Sequence, residues 1–305
     1  MAIKLIHTKN LQWVDIVSPN EKDLTYLKEN FDFHPLDFED IVQSATRTKI
    51  DEYDSYHFLI LLFPSFNRET REVSAREVDF FIGPDFLITV HDGSMRTLTN
   101  LVQNVQQYDT RRNQHLSQGP GFLLISILEI LLKRSAPLMD RLNHEIGIAD
   151  KSVFDLGVET LEHLAKVKKA IITYRRINKM HKYVLEKLAR SKKTYLKFPD
   201  SDLAMHNLVE YAENIWNMLS TDKESLESLE ETNQSLAAHK MNDILRILTV
   251  FSVIIFLLTL LINILLFLGD VSHIGSWPYI VPATSATIAL VTLAMLLFFR
   301  RKGWL

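Results

Sequence analysis

Ile247-Leu-Thr-Val-Phe-Ser-Val-Ile-Ile-Phe-Leu-Leu-Thr-Leu-Leu-Ile-Asn-Ile-Leu-Leu-Phe-Leu268 runs for 22 residues without a charge. At a helical rise of about 1.5 Å per residue it is long enough to cross a hydrocarbon layer of roughly 30 Å. A second charge-free run of 20 residues, Ile280 to Phe299, follows a connector at 269–279. Together they predict two C-terminal transmembrane helices behind a large water-soluble part.

The basic residues predict the orientation. Lys240 and Arg246 precede the first span, and Arg300, Arg301 and Lys302 follow the second, ahead of Gly303, Trp304 and Leu305; the connector from Gly269 to Pro278 has no Lys or Arg. An excess of Lys and Arg marks the cytoplasmic side, so both ends are expected in the cytoplasm of a multi-pass inner-membrane protein, with the connector outside. Trp277, Tyr279 and Trp304 stand where interfacial aromatics belong. Met1 to Asn20 has no continuous apolar core of the signal-peptide kind. The absence of cysteine excludes disulfides and thiolate metal sites.

The chain carries a net charge of −3. Residues 241–305 hold four basic side chains (Arg246, Arg300, Arg301, Lys302) and two acidic ones (Asp243, Asp270), which leaves 30 basic and 35 acidic in residues 1–240, a net of −5. A mildly acidic soluble part argues against a nucleic-acid partner and is compatible both with cation binding and with ordinary solubility.

Residues 1–110 read as α/β. Short β-branched and aromatic runs at Leu11 to Val17, Tyr56 to Phe63, Glu77 to Ile82 and Phe86 to Val90 are broken by Pro64, Gly83-Pro84 and Asp92-Gly93. The stretch from Val78 to Val90 is the clearest hairpin, and Ser18-Pro19-Asn20-Glu21 and His34-Pro35 open helices. Beyond Pro120 the composition is helical, with helices predicted at about 121–148, 152–190 and 202–268.

The third of these carries the functional signal. Stepping back from Asn263 alternately by four and three residues gives Thr259, Phe256, Ser252, Thr249, Leu245, Asn242, Ala238, Ser235, Glu231, Ser228, Glu224, Thr221, Asn217, Asn214, Glu210 and Asn207. Such an alternation is one helix face. All polar residues between Ile247 and Leu268 fall on it, while Leu208, Ile215, Leu219, Leu226, Leu229 and Leu236 lie on neighbouring faces. An amide in hydrocarbon is costly unless it meets a partner or water. Two readings follow: the hydroxyls bond to the helix backbone and Asn263 joins helices together, or copies of the helix surround a water-filled pore. One helix cannot enclose a channel, so the second reading requires a homo-oligomer.

No phosphate loop, HExxH, GxSxG or CxxC pattern occurs, and no enzyme is expected. The eleven histidines read as surface or packing residues, His144-Glu145 lacks a second histidine, and Asp37, Glu39, Asp40, Glu159 and Glu162 read as solvated helix faces.

Several blocks together resemble the CorA family of divalent-cation transporters. Trp13-Val14-Asp15-Ile16, Phe33-His34-Pro35-Leu36, Glu39-Asp40 and Thr48-Lys49-Ile50 follow its opening pattern, and Phe80-Phe81-Ile82-Gly83 with Leu87-Ile88-Thr89-Val90-His91 its hairpin. Lys240 to Thr249 resembles the family's approach to the first span, and Arg300 to Leu305 its basic tail.

The resemblance implies a homopentamer. Its parts would be a cytoplasmic αβα funnel domain at 1–201, a long stalk helix at 202–246, a pore-lining span at 247–268, an outer loop at 269–279, a second span at 280–299 and a basic tail at 300–305. The family's pore positions carry over to Asn242, Leu245, Phe256 and Thr259, with Leu245 and Phe256 as hydrophobic constrictions, and the stripe adds Thr249, Ser252 and Asn263 as pore-lining candidates. The candidate metal or regulatory positions are Asn207, where the family has a carboxylate, and Glu210, Glu224 and Glu231. The lipid bilayer, further copies of the chain and divalent cations are the implied partners. Mg²⁺, or else Zn²⁺ or Co²⁺, is the implied substrate and regulator, with no other cofactor.

The chain departs from the family at the pore mouth. Leu266-Phe267-Leu268 stands where the family has Gly-Met-Asn, and Leu257 replaces a proline. Asn263 offers a substitute amide, and Asp270 with His273 an external attractor. The rival readings are a non-conducting membrane scaffold or sensor with a cytoplasmic partner- or metal-binding domain, and a Zn²⁺ exporter.

Overall fold

Alternation along the strand His57–Phe66 sends Phe58 and Ile60 to one side of a sheet and Leu59, Leu61 and Phe63 to the other, and all five are buried. A strand covered on both faces needs a layer on each side. The computed structural model describes residues 3–43, 48–67, 72–154, 157–271 and 277–301 and divides into two units, Met1–Glu230 and Glu231–Leu305.

In the first unit the strands are β1 (Ile3–His7), β2 (Gln12–Val17), β3 (Lys49–Glu52), β4 (His57–Phe66), β5 (Val73–Ile82) and β6 (Phe86–His91). They form one sheet in the order β1-β2-β6-β5-β4-β3, antiparallel except where β2 runs parallel to β6. The predicted hairpin is β5–β6, with Val78 opposite His91 and Ile82 opposite Leu87. The edge strands β1 and β3 were not legible in the sequence; each is short, and β3 reads Lys-Ile-Asp-Glu, the charged kind of edge that resists pairing with another chain.

Helices α1 (Glu21–Asn30) and α2 (Pro35–Gln43) cover one face, where Leu27, Phe33, Phe38 and Ile41 meet Val14, Ile16, Phe81 and Ile88. Asn20 caps α1: its side chain accepts from the amides of Lys22 and Asp23, and Asp23 accepts from the Asn20 amide. The opposite face packs against α3 (Arg96–Gln107), α5 (Pro120–Lys133), α7 (Val158–Arg190) and the start of α8 (Ser201–Val271), with α4 (Asp109–Leu116) between α3 and α5. The layering is therefore αβα, as the resemblance implies.

The expected helix at 121–148 is two helices. Alpha-helix α5 ends at Lys133, and α6 (Ala136–Ser152) begins after Arg134 and Ser135 with Pro137 in its first turn. Proline lacks the amide that a continuous helix needs there, so the chain restarts instead of continuing. Helices α6, α7 and α8 then share a core of Leu138, Leu142, Leu164, Ile171, Tyr174, Ile215, Leu219 and Leu226. Asn178 of α7 donates to the Ala212 carbonyl of α8 at 2.7 Å, and His181 to the Leu62 carbonyl of β4 at 2.6 Å.

The second unit consists of the remainder of α8 and of α9 (Trp277–Arg301). Among the described residues, α8 is the one helix long and apolar enough to cross a membrane. Helix α9 contains the second apolar run, with Pro282 inside it.

Candidate functional site

In the first unit the buried residues of α8 include Met205, Leu208, Ala212, Ile215, Leu219 and Leu226. Residues two further along the chain, Asn207, Glu210, Asn214, Asn217, Thr221 and Ser228, belong to the polar stripe and are all exposed. Two residues correspond to about 200° of rotation, so the stripe is the face of α8 turned away from its own core. The same offset holds in the second unit. Val250 is buried and Ile254, Leu257 and Leu261 are half-buried, while Ser252, Phe256, Thr259 and Asn263 are exposed. Asn242, Leu245 and Thr249 are exposed as well. All seventeen stripe positions are left open by the single chain.

Charge is sorted along the same helix. Off the stripe, Glu213, Glu227 and Glu230 pair with Lys182, Lys223 and Lys168 at 2.9, 2.6 and 2.6 Å. On the stripe, Glu210, Glu224 and Glu231 take no ion pair among the described residues, and no Lys or Arg shares their face. The open face is therefore uniformly negative or neutral, which raises the local concentration of cations.

In the apolar part, Thr249 donates to the Leu245 carbonyl at 2.7 Å, Thr259 to that of Ile255 at 2.8 Å, and Asn263 through Nδ2 to that of Thr259 at 2.9 Å. These bonds satisfy donor hydrogens inside the helix. They leave the side chains on the open face, with none of the three bonded to another helix among the described residues. Of the expected pore mouth, Phe267 is exposed, whereas the side chains of Leu266, Leu268 and Asp270 lie outside the described residues. So do His273, Lys302 to Leu305 and the side chains of Trp277 and Tyr279.

One carboxylate overturns its expected place. Glu39 is exposed and Asp40 partly so, but Asp37 is buried instead of facing solvent. It accepts from Tyr56 at 2.7 Å and Tyr53 at 3.0 Å, with the Lys49 ammonium 3.9 Å away; Lys49 also bridges Asp40 and Asp51. Burial pushes the Asp37 carboxyl above its usual range, and the two hydroxyls and Lys49 hold it back. The Tyr53 hydroxyl is pushed up to about 12 by burial and then by Asp37. No local signal announced this: the tyrosines lie in the connection between β3 and β4, and the sheet brings them to α2.

Three histidines pack as expected. His57 meets the Tyr195 hydroxyl at 2.7 Å, His91 meets Asp15 at 3.1 Å, and His181 is held neutral by burial, its pKa lowered to about 4. Glu159 and Glu162 are exposed, and the described residues contain no group of three or more metal-ligating side chains.

The family model described as CorA-like Mg²⁺ transporter protein matches residues 8–301. The provisionally named metal ion transporter YfjQ of Bacillus subtilis (strain 168) is 29% identical, covering 96% of this chain and 89% of its own. The cobalt/magnesium transport protein CorA of Thermotoga maritima is 19% identical, covering 96% and 83%. The solved CorA magnesium transporter of Methanocaldococcus jannaschii aligns with a TM-score of 0.82 at 19% identity, over 98% of this chain and 94% of that one.

Proposed function

Because the chain belongs to the CorA-like Mg²⁺ transporter family, whose members are membrane transporters of divalent cations, we propose that it forms a homopentameric pore for them, with Mg²⁺ the foremost substrate and Zn²⁺ or Co²⁺ the alternatives. The proposed topology has spans at 247–268 and 280–299, both termini in the cytoplasm and the 269–279 loop outside.

The observation that carries this reading is the stripe of seventeen exposed positions opposite the buried ladder of α8. A polar face left open along an apolar helix needs water or other copies of itself. Copies arranged around an axis supply both, because they enclose a wet lumen and bury the remaining surfaces. In that arrangement Glu210, Glu224 and Glu231 form three carboxylate rings that collect cations on the cytoplasmic side. The rings of Glu224 and Glu231 stand about 10 Å apart along the helix. Asn207, Glu210 and their neighbours are also the proposed place where a divalent cation regulates the pore, by relieving repulsion between like charges. The span itself has no charge to strip water from the ion. Mg²⁺ sheds its water reluctantly, so it passes hydrated. Leu245 and Phe256 interrupt the polar face and act as constrictions that close by excluding water.

The absence of cysteine allows a clean test. Purified protein in liposomes should pass Mg²⁺, Zn²⁺ or Co²⁺, and in a Ser252→Cys variant a charged thiol reagent should block that flux. Silence for every ion from a verified oligomer would sink the channel reading and favour the scaffold or sensor. Flux that the reagent leaves untouched would remove Ser252 from the lumen.

A further inference from the structure

Four basic side chains gather at one edge of the apolar spans. Arg246 immediately precedes the first span, and Arg300 and Arg301 immediately follow the second, in the last turn of α9. Lys240 stands seven residues before Ile247, about 10 Å along the helix. One acid, Asp243, shares this edge; Asp270 lies beyond the far end of the first span. All four basic residues are exposed. Arg246 approaches Asp243 only to 3.8 Å, and Lys240, Arg300 and Arg301 take no ion pair among the described residues.

The bases of α8 also avoid its open stripe. Lys240 is two residues before Asn242 and so about 200° around the helix from it, and Arg246, one residue after Leu245, is about 100° away. Glu231, the nearest carboxylate of the stripe, is nine residues and about half a turn from Lys240. Cations in a last helical turn complement the helix dipole, which accounts for Arg300 and Arg301. It gives no reason for Lys240 and Arg246, which lie in the interior of Ser201–Val271.

We infer that Lys240, Arg246, Arg300 and Arg301 form a binding surface for anionic phospholipid headgroups in the cytoplasmic leaflet. The surface rests on the topology proposed above. The headgroup layer is about 5–8 Å deep on each side of the hydrocarbon, so the three arginines stand at the level of the lipid phosphates. A guanidinium grips a phosphate through two parallel N–H···O bonds. Lys240 reaches the same layer from the aqueous side on a long, flexible stem. A zwitterionic headgroup brings an ammonium of its own that cancels the attraction, whereas an anionic headgroup does not. Attraction of this kind falls off within about 8 Å at physiological salt, and all four residues are close enough to feel it. Lipid held there lies off the stripe and leaves the lumen open.

The test measures which lipid sits beside the protein. Full-length protein carrying Trp277→Phe, which leaves Trp304 just beyond Arg301 as the interfacial tryptophan, is placed in phosphatidylcholine vesicles. Brominated phosphatidylglycerol or brominated phosphatidylcholine, either of which quenches fluorescence on contact, replaces part of the lipid. Phosphatidylglycerol should be preferred by about threefold or more. The combined change Lys240→Gln, Arg246→Gln, Arg300→Gln and Arg301→Gln should abolish the preference in an oligomer of unchanged size. Because that variant also weakens the topology signal, Arg246→Lys, Arg300→Lys and Arg301→Lys together serve as a second one, and should keep most of the preference. Equal quenching by the two lipids in the parent overturns the surface, as does a preference that survives the four glutamines. Inorganic phosphate that removes the preference at matched ionic strength would make this a site for a free anion and overturn the lipid reading. A Leu305→Cys variant labelled by an impermeant reagent outside intact cells would remove the topology and the surface together. Equal quenching without such labelling removes the surface alone and leaves the channel reading standing.

Discussion

Replacing Tyr56 by phenylalanine deletes one oxygen from a buried cluster and leaves the ring in place. The ring still stacks on Tyr53 and meets Phe33 at 4.8 Å between centroids, so packing is retained. Two hydrogen bonds go: the hydroxyl donates to Asp37 at 2.7 Å and accepts from the His34 amide at 2.8 Å. A bond to a charged acceptor is worth about 1.5–3 kcal/mol, and the partly buried amide adds up to about 1, a total of about 2–4 kcal/mol. For a domain of this size that corresponds to a fall of about 5–12 °C in Tm.

The loss depends on pH with a definite sign. Burial raises the folded-state pKa of Asp37 above 3.8, so its contribution to stability is full below that value and declines as pH rises through the folded pKa. The Tyr56 hydroxyl limits that rise, and removing it raises the pKa further and deepens the decline. As pH falls towards 3.8 and below it, protonation of Asp37 turns the lost bond into an ordinary neutral one, which costs about 1 kcal/mol. Thermal unfolding followed by tryptophan fluorescence at pH 4 and pH 7.5, parent against variant, measures both values, and the difference cancels every other titration. A Tm drop of under 1 °C, or an equal drop at both pH values, would refute the argument that Asp37 is buried as a carboxylate held by Tyr56.

Further outcomes follow from other parts of the structure. Leu219 is fully buried between α8 and its neighbours, so Leu219→Ala should cost about 2–5 kcal/mol, read as a lower Tm and earlier proteolysis. His181 has a folded pKa of about 4, below its usual value, so its contribution is present above pH 6.5 and is lost as pH falls towards 4. His181→Gln keeps a donor for the Leu62 carbonyl and should flatten the acid side of the Tm profile, recovering up to about 3 kcal/mol of pH dependence. Changing Glu210, Glu224 and Glu231 together to glutamine should lower Mg²⁺ influx into liposomes several-fold at low ionic strength and much less at high salt, because the proposed carboxylate rings act at long range. Equal inhibition at both salt concentrations would mean direct ligation instead.

Much of this protein is decided by local rules that a sequence displays. The charge-free run from Ile247 to Leu268 and the four-three spacing from Asn207 to Asn263 follow from a helix whose geometry repeats every 3.6 residues, so α8 and its open face were readable before any coordinate was known. The hairpin β5–β6 was readable for a similar reason, since its turn residues and alternation are adjacent in the chain. Asp37 was misread because its burial depends on Tyr53 and Tyr56, which reach it only after β3 and β4 have paired with the sheet. Strand β1 escaped because it is short, and the break between α5 and α6 because its signal is one proline, Pro137, inside an otherwise helical composition. Only the tertiary structure decided which carboxylates of α8 are neutralised. The lysines of Glu213 and Glu230 come from α7, from residues distant in the chain, whereas Glu210, Glu224 and Glu231 face away from every described partner. Helix periodicity states which residues share a face; what that face meets is fixed by contacts between segments far apart in sequence, and no local pattern encodes them.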